Sequence, residues 1–215
     1  MNKKQNECLK KIEKIEGLLV PGQEKILFLL SSVLKRGSNI VEIGSFKGKS
    51  TACLSLGRKY KDIKIYSIDT FEGNKKDFIR GRQFKKRNFF NEYKNNLIRL
   101  GLFNNVIPIK GYSQEVGKKW NKPIDLLFID GSHLYEDVKK DFELFYPWVN
   151  PGGFVLFHDV HPEFVGVYKV WHKIAKRKLT GQANVHTLYF GRKPVSFFSR
   201  FTDPLETRLI IKEAE

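Results

Sequence analysis

Four short stretches hold the residue types that do chemistry. The first is Val41-Glu-Ile-Gly-Ser-Phe-Lys-Gly-Lys-Ser50. Gly44 and Gly48 permit a sharp turn and close approach of a ligand to the backbone, and a helix opening there offers unpaired N–H groups to an anion. The spacing Gly-x-x-x-Gly is not the dinucleotide fingerprint, and the loop is one residue short of a Walker A motif. The second is Asp69, 25 residues after Gly44, where a carboxylate can accept both hydroxyls of a ribose. The third is Phe128-Ile-Asp-Gly-Ser-His133, followed by Tyr135-Glu136. Here Asp130 enters a glycine turn that brings His133 back over the same edge. The fourth is Phe157-His-Asp-Val-His161-Pro. Asp130, His158 and Asp159 together offer oxygen and nitrogen donors to a divalent cation. His161, His172 and His186 read as surface or packing residues.

These residues need elements to position them, and the hydropathy pattern supplies alternating strands and helices. Short apolar runs at 39–43, 63–68, 106–109, 124–129 and 154–157 read as strands, with further candidates at 185–190 and 195–201. Helical periodicity marks 5–20, 23–35, 50–60, 89–100, 135–149 and about 164–179, the first two split by Pro21-Gly22. The stretch 72–87 has no clean period and reads as a basic surface loop or lid. Alternation of this kind predicts an α/β fold, a doubly wound and mostly parallel sheet with helices on both faces. Ligands of such sheets bind beyond the carboxyl ends of the strands. Gly44, Asp69, Gly111, Asp130 and His158-Asp159 all directly follow predicted strands.

The chain has 215 residues, 18 Phe, 8 Tyr and 3 Trp, enough large apolar side chains for one packed domain and against disorder. Two cysteines, Cys8 and Cys53, give no disulfide framework and no paired metal motif. No apolar run approaches a membrane span, and no secretory leader pattern follows Met1. A reducing, cytoplasmic setting is the expectation. The net charge is +16, and it is uneven. Residues 75–99 hold nine basic and two acidic side chains, and 164–202 hold eight basic and none acidic. Such a field attracts anions: nucleic acid, anionic headgroups or an acidic small substrate.

Several motifs taken in order resemble a known family. They are Glu42-Ile-Gly-Ser-x-x-Gly, Ile68-Asp-Thr-Phe-Glu72, Gly111-Tyr-Ser, Phe-Ile-Asp-Gly-Ser-His133-x-Tyr-Glu-Asp-Val-x-x-Asp141 and Pro-Gly-Gly-x-x-x-x-His-Asp159. From about residue 40 to 171 the chain resembles class I S-adenosylmethionine-dependent methyltransferases. More narrowly, it is similar to the small O-methyltransferases grouped with macrolide-sugar and cephalosporin-pathway enzymes. The resemblance implies a seven-stranded Rossmann-like sheet over 37–215, preceded by an N-terminal helical extension over 1–36. It implies S-adenosylmethionine as cofactor. Glu42, Gly44, Ser45 and Gly48 would line its methionine part with Ser50 nearby, and Asp69 would bind its ribose. Thr70, Phe71 and Ser113 would flank the adenine. Asp130 and Asp159 match metal ligands, Asp130 being placed among the cofactor-binding and catalytic residues as well, and His133 falls where that branch places its catalytic base. The branch typically has Glu before the second Asp; here that position is His158, which suits Mn²⁺, Fe²⁺ or Zn²⁺ as well as Mg²⁺, or no metal at all.

The activity so implied is O-methylation of a hydroxyl on a small-molecule, sugar or glycan acceptor, with an anionic acceptor favoured by the basic lid. The alternatives are an RNA or tRNA methyltransferase using the basic surface, a non-catalytic nucleotide- or glycan-binding module, and an NAD-dependent oxidoreductase. The glycine spacing opposes the last. The N-terminal helices are expected to cover the site or to form a homodimer contact.

Overall fold

In the computed structural model, residues 3–73, 88–104 and 106–195 are described. The elements run in the order α1 (Lys3–Glu13), α2 (Gln23–Ser32), β1 (Asn39–Ile43), α3 (Lys49–Gly57), β2 (Lys64–Asp69), α4 (Phe90–Arg99), β3 (Val106–Lys110) and α5 (Ser113–Lys118). Then follow β4 (Ile124–Ile129), α6 (Tyr135–Phe145), β5 (Val149–Phe157), α7 (Val165–Lys173), β6 (Thr180–Val185) and β7 (Leu188–Arg192). One seven-stranded sheet has the order β3-β2-β1-β4-β5-β7-β6. Strands β1 to β5 pair in parallel, and β7 and β6 close the edge antiparallel.

The central strands β1, β2, β4 and β5 are mostly buried and largely apolar because both faces are covered, whereas the edge strands β3 and β6 are partly exposed. Their side chains alternate between two cores. Ile40, Ile65, Leu126, Phe128 and Leu156 face α2, α3 and α4, while Val41, Ile68, Leu127, Ile129 and Phe157 face α6 and α7. No helix among the described residues is long and apolar enough to cross a membrane.

Register sets the functional edge. Ile43 pairs with both Ile68 and Ile129, and Ile129 pairs with Phe157. The next residues, Gly44, Asp69, Asp130 and His158, therefore leave the sheet side by side. The order reverses between β1 and β4, the switch point at which loops diverge and leave a crevice.

Four expected elements have other bounds, and one helix went unmarked. The helix expected over 5–20 ends at Glu13, and residues 14–20 continue as a turn and irregular chain in which Gly17 packs against the Lys49 side chain. The helix over 135–149 ends at Phe145, a 3₁₀ turn covers Tyr146–Trp148, and β5 starts at Val149, so Pro151-Gly152-Gly153 lie inside a strand. The helix over 164–179 stops at Lys173. The strand candidate 185–190 is two strands of a hairpin, turning where His186 takes a left-handed φ of 52°. Helix α5 was not anticipated. Residues 74–87, most of the basic lid, and the candidate strand from 196 onward lie outside the described residues.

Candidate active site

Gly44 leaves β1 with φ 86°, and a Cβ there would sit 2.2 Å from the Asp130 carbonyl oxygen. Only glycine lets the loops after β1 and β4 come this close. Gly48 caps α3 in the left-handed conformation, φ 86°. Between them the loop is held by Asp69. Its Oδ2 accepts the backbone N–H groups of Ser45 (2.7 Å) and Phe46 (2.8 Å), and its Oδ1 accepts that of Phe71 (2.6 Å). Phe46 itself has φ 46°, a strained value for a bulky residue that these bonds stabilise.

The loop lysines are committed elsewhere. Lys47 Nζ pairs with Glu16 and with Glu92 (2.9 Å), and Lys49 Nζ pairs with Glu24 (3.4 Å). The near-Walker spacing therefore carries no phosphate-binding lysine, and the segment around α1 and α2 is clasped to the loop instead.

Glu42 is fully buried beneath the loop rather than lining its outer surface. The hydroxyls of Ser45, Thr51 and Ser67 donate to its Oε2. Burial raises its pKa to about 7, against the pull of these hydroxyls and that of Ser50. The folded protein thus holds this proton more tightly than the unfolded chain, whose glutamate titrates near 4.5. The stabilisation is complete below pH 4.5 and is lost as pH rises through about 7, a difference of about 3 kcal/mol. Glu42→Gln is expected to remove that part of the slope in urea unfolding measured from pH 5 to 7.5. Asp141, also raised to about 7 by burial, contributes a slope of the same sign that the variant retains.

Beyond β4 and β5 lies the second half of the site. His158 is 2% exposed. Its Nδ1 is 3.1 Å from Asp130 Oδ1 and 3.2 Å from Asp159 Oδ2, without a well-aligned hydrogen bond to either. Asp159 Oδ2 also meets His133 Nε2 at 3.0 Å. Asp159 adopts φ 57°, which turns its carboxylate back toward both imidazoles. Burial opposes ionisation of Asp159, yet the hydrogen bond from His133 and the close approach of the His158 imidazole hold it far below the ordinary carboxylate range. Burial likewise opposes a charge on His158, but Asp130 and Asp159 prevail and raise it to about 10. Asp130 is shifted upward by burial, with His158 pulling the other way.

His133 sits nearer the surface, with a side-chain exposure of 14%. Its ring stacks on Phe164 at 4.4 Å, and α7 presses so closely that a Cβ on Gly166 would meet the His133 carbonyl at 2.1 Å. The start of α7 therefore fixes the turn that carries His133. One donor atom each from Asp130, His158 and Asp159 lie within 4.8 Å of one another, the spacing of a three-ligand metal site. The buried, poorly aligned Nδ1 and the mixed oxygen and nitrogen donors fit a first-row divalent cation.

The sequence-predicted residues thus fall into two groups on one edge: Gly44, Ser45, Gly48 and Asp69 at the tips of β1 and β2, and Asp130, His133, His158 and Asp159 at β4 and β5. Thr70 is half-buried next to Asp69, and Ser50 is buried on α3. Ser113 donates to Asp141 Oδ1 (2.6 Å) at the start of α5. Phe71, expected beside an adenine, is instead fully buried with its ring 4.9 Å from that of Tyr93 and 5.1 Å from that of Phe90. Gln23, which no motif marked, is wholly buried with its amide on His158.

Residues 41–160 match the profile of the family described as "Methyltransferase domain". The chain belongs to this methyltransferase family. The match begins in β1 and ends just past Asp159, so it takes in both halves of the edge. Uncharacterized protein R132 of Acanthamoeba polyphaga mimivirus is 33% identical to this methyltransferase domain over 125 residues, 55% of this chain and 50% of that protein. The chain spans half or less of the length of the curated relatives it matches. Among solved structures, the O-methyltransferase TomG of Streptomyces achromogenes, in complex with SAM, aligns with TM-score 0.62 and 18% identity over 90% of this chain and 91% of that one. The O-methyltransferase of Bacillus cereus, in complex with SAH, aligns with TM-score 0.61 and 19% identity over 90% and 92%. At these identities the structures bear on the fold.

Proposed function

We propose that the chain transfers the methyl group of S-adenosylmethionine to a hydroxyl oxygen of a small-molecule, sugar or glycan acceptor. The observation that carries this reading is the His133–Asp159 pair, 3.0 Å apart, one switch point away from the glycine loop held by Asp69. A base and its orienting carboxylate stand on one side of the crevice, and a nucleoside-type loop stands on the other.

A sulfonium is already an activated methyl donor, so the chain's first task is alignment. Holding an acceptor oxygen in line with the methyl carbon and sulfur supplies ~7–11 kcal/mol in ideal intramolecular cases. The second task is removing the hydroxyl proton. His133 gives one ring nitrogen to Asp159, and a proton taken on the other leaves an imidazolium that the carboxylate stabilises. The O–H bond breaks as the oxygen–methyl bond forms. The methyl–sulfur bond breaks with its electron pair left on sulfur, giving S-adenosylhomocysteine and an ether. Asp130, His158 and Asp159 would hold a divalent cation, which when bound supplies Lewis acidity toward acceptor oxygens.

Asp69 ties the loop that would face the methionine part and stands at the ribose end. Asp69→Ala removes three charge-assisted hydrogen bonds and is expected to weaken S-adenosylhomocysteine binding at least about tenfold, each such bond being worth ~1.5–3 kcal/mol. An unchanged dissociation constant removes Asp69 from the site. The acceptor class is tested by transfer of labelled methyl to a panel of hydroxylated sugars, phenols and bulk RNA. Salt-sensitive labelling of RNA alone would move the acceptor to nucleic acid.

A further inference from the structure

Gln23 opens α2, outside the matched family region, yet its side chain is fully buried against the site. Its four polar contacts have only one consistent reading. Val20 N–H lies 2.9 Å from Oε1 and must meet an acceptor. The Val185 carbonyl oxygen, 3.3 Å from Nε2, must meet a donor, and Thr187 Oγ1 accepts from the same Nε2 at 3.2 Å. The amide cannot flip without setting donor against donor and acceptor against acceptor. Its oxygen therefore faces His158 Nε2 at 2.9 Å, and that nitrogen must carry a hydrogen. Either protonation state of the ring provides one, so the consequence falls on the other nitrogen. The nitrogen that faces Asp130 and Asp159 is Nδ1.

We propose that Gln23 is a positioning residue that locks His158 with its Nε2–H toward the amide and its Nδ1 toward the carboxylate pair. A ligating imidazole is commonly oriented by an acceptor on its second nitrogen, and losing that partner typically costs ~10–100-fold in metal affinity. Gln23 also joins three distant segments at this ring, the chain before α2, the β6–β7 hairpin and the end of β5. The bond it makes to His158 spans 135 residues of sequence. The effect on cation affinity rests on the reading of Asp130, His158 and Asp159 as a cation site; the ring orientation does not.

Two measurements on the full chain separate these. In ¹⁵N-imidazole spectra of the metal-free protein, His158 is expected to show a slowly exchanging Nε2–H that is lost or rapidly exchanging in Gln23→Met and retained in Gln23→Glu, which keeps the acceptor. A bare Nε2 in the unaltered protein overturns the proposal, and that arm stands even if Gln23→Met does not fold. In Mn²⁺ titration by calorimetry, Gln23→Met is expected to bind ~10–100-fold more weakly and Gln23→Glu within a few-fold, with S-adenosylhomocysteine affinity unchanged in both. Unchanged Mn²⁺ affinity in a well-folded Gln23→Met also overturns the proposal. Absence of Mn²⁺ binding to the unaltered protein removes the cation reading and leaves the ring spectrum as the deciding test of Gln23.

Discussion

His133→Ala is expected to lower kcat by about 10²–10⁴-fold, the usual contribution of a general base, with S-adenosylhomocysteine affinity nearly unchanged. The separation follows from geometry. His133 belongs to the turn after β4, held by Asp159 and Phe164, whereas the glycine loop after β1 is tied by Asp69 and by backbone contacts that alanine at 133 leaves alone. The acceptor KM should move little, since loss of a proton acceptor is felt in the transition state. A loss of cofactor affinity as large as the loss of kcat would make His133 a structural prop for the edge and not a base.

Asp159→Asn is expected to have the broadest effect. Asparagine keeps the shape and tolerates the left-handed φ of 57° better than alanine, so the substitution isolates the charge. That charge lies on the oxygen shared by His133 and His158. Removing one member of a buried charged cluster costs ~3–5 kcal/mol of stability, and an orienting carboxylate lost from a histidine base costs up to ~10⁴ in kcat. The pH dependence has a definite sign. Because the folded state depresses Asp159, its contribution is present above the ordinary carboxylate pKa near 3.9 and disappears as pH falls well below it. The variant should lose stability at neutral pH and show a flatter acid limb in thermal unfolding. A neutral-pH loss below about 1 kcal/mol, the range of an exposed pair, would show that the cluster is not a coupled unit.

Much of the fold was readable because the central strands are short, mostly apolar runs. Runs at 39–43 and 124–129 coincide with β1 and β4, and residues placed directly after strands became Gly44, Asp69, Asp130 and His158 of the edge. The hairpin between β6 and β7 was not readable. Its turn at His186-Thr187 lacks the Gly or Asn that usually marks one, so 185–190 looked continuous. Helix α5 escaped because six residues containing Gly117 show too little period. Within the candidate site, the grouping of Asp130, His133, His158 and Asp159 was legible in short motifs, but where each side chain points depended on packing. Glu42 shares a strand face with Ile40, which packs among α2 and α3; that alternation directs it into the core. Phe71, which the resemblance set beside an adenine, is a core ring. Gln23 was silent, since an uncharged amide far along the chain forms no motif with the histidine it touches.

The proposed function requires a nucleoside sulfonium seated across the tips of β1 and β2, its methyl group directed at an acceptor oxygen beside His133. Calorimetric titration of the full chain with S-adenosylhomocysteine, with NAD as the comparison ligand, tests it most directly. Saturable one-to-one binding of S-adenosylhomocysteine, and none of NAD, is the expected result. No heat with S-adenosylhomocysteine up to its solubility limit, or tighter binding of NAD, would contradict it.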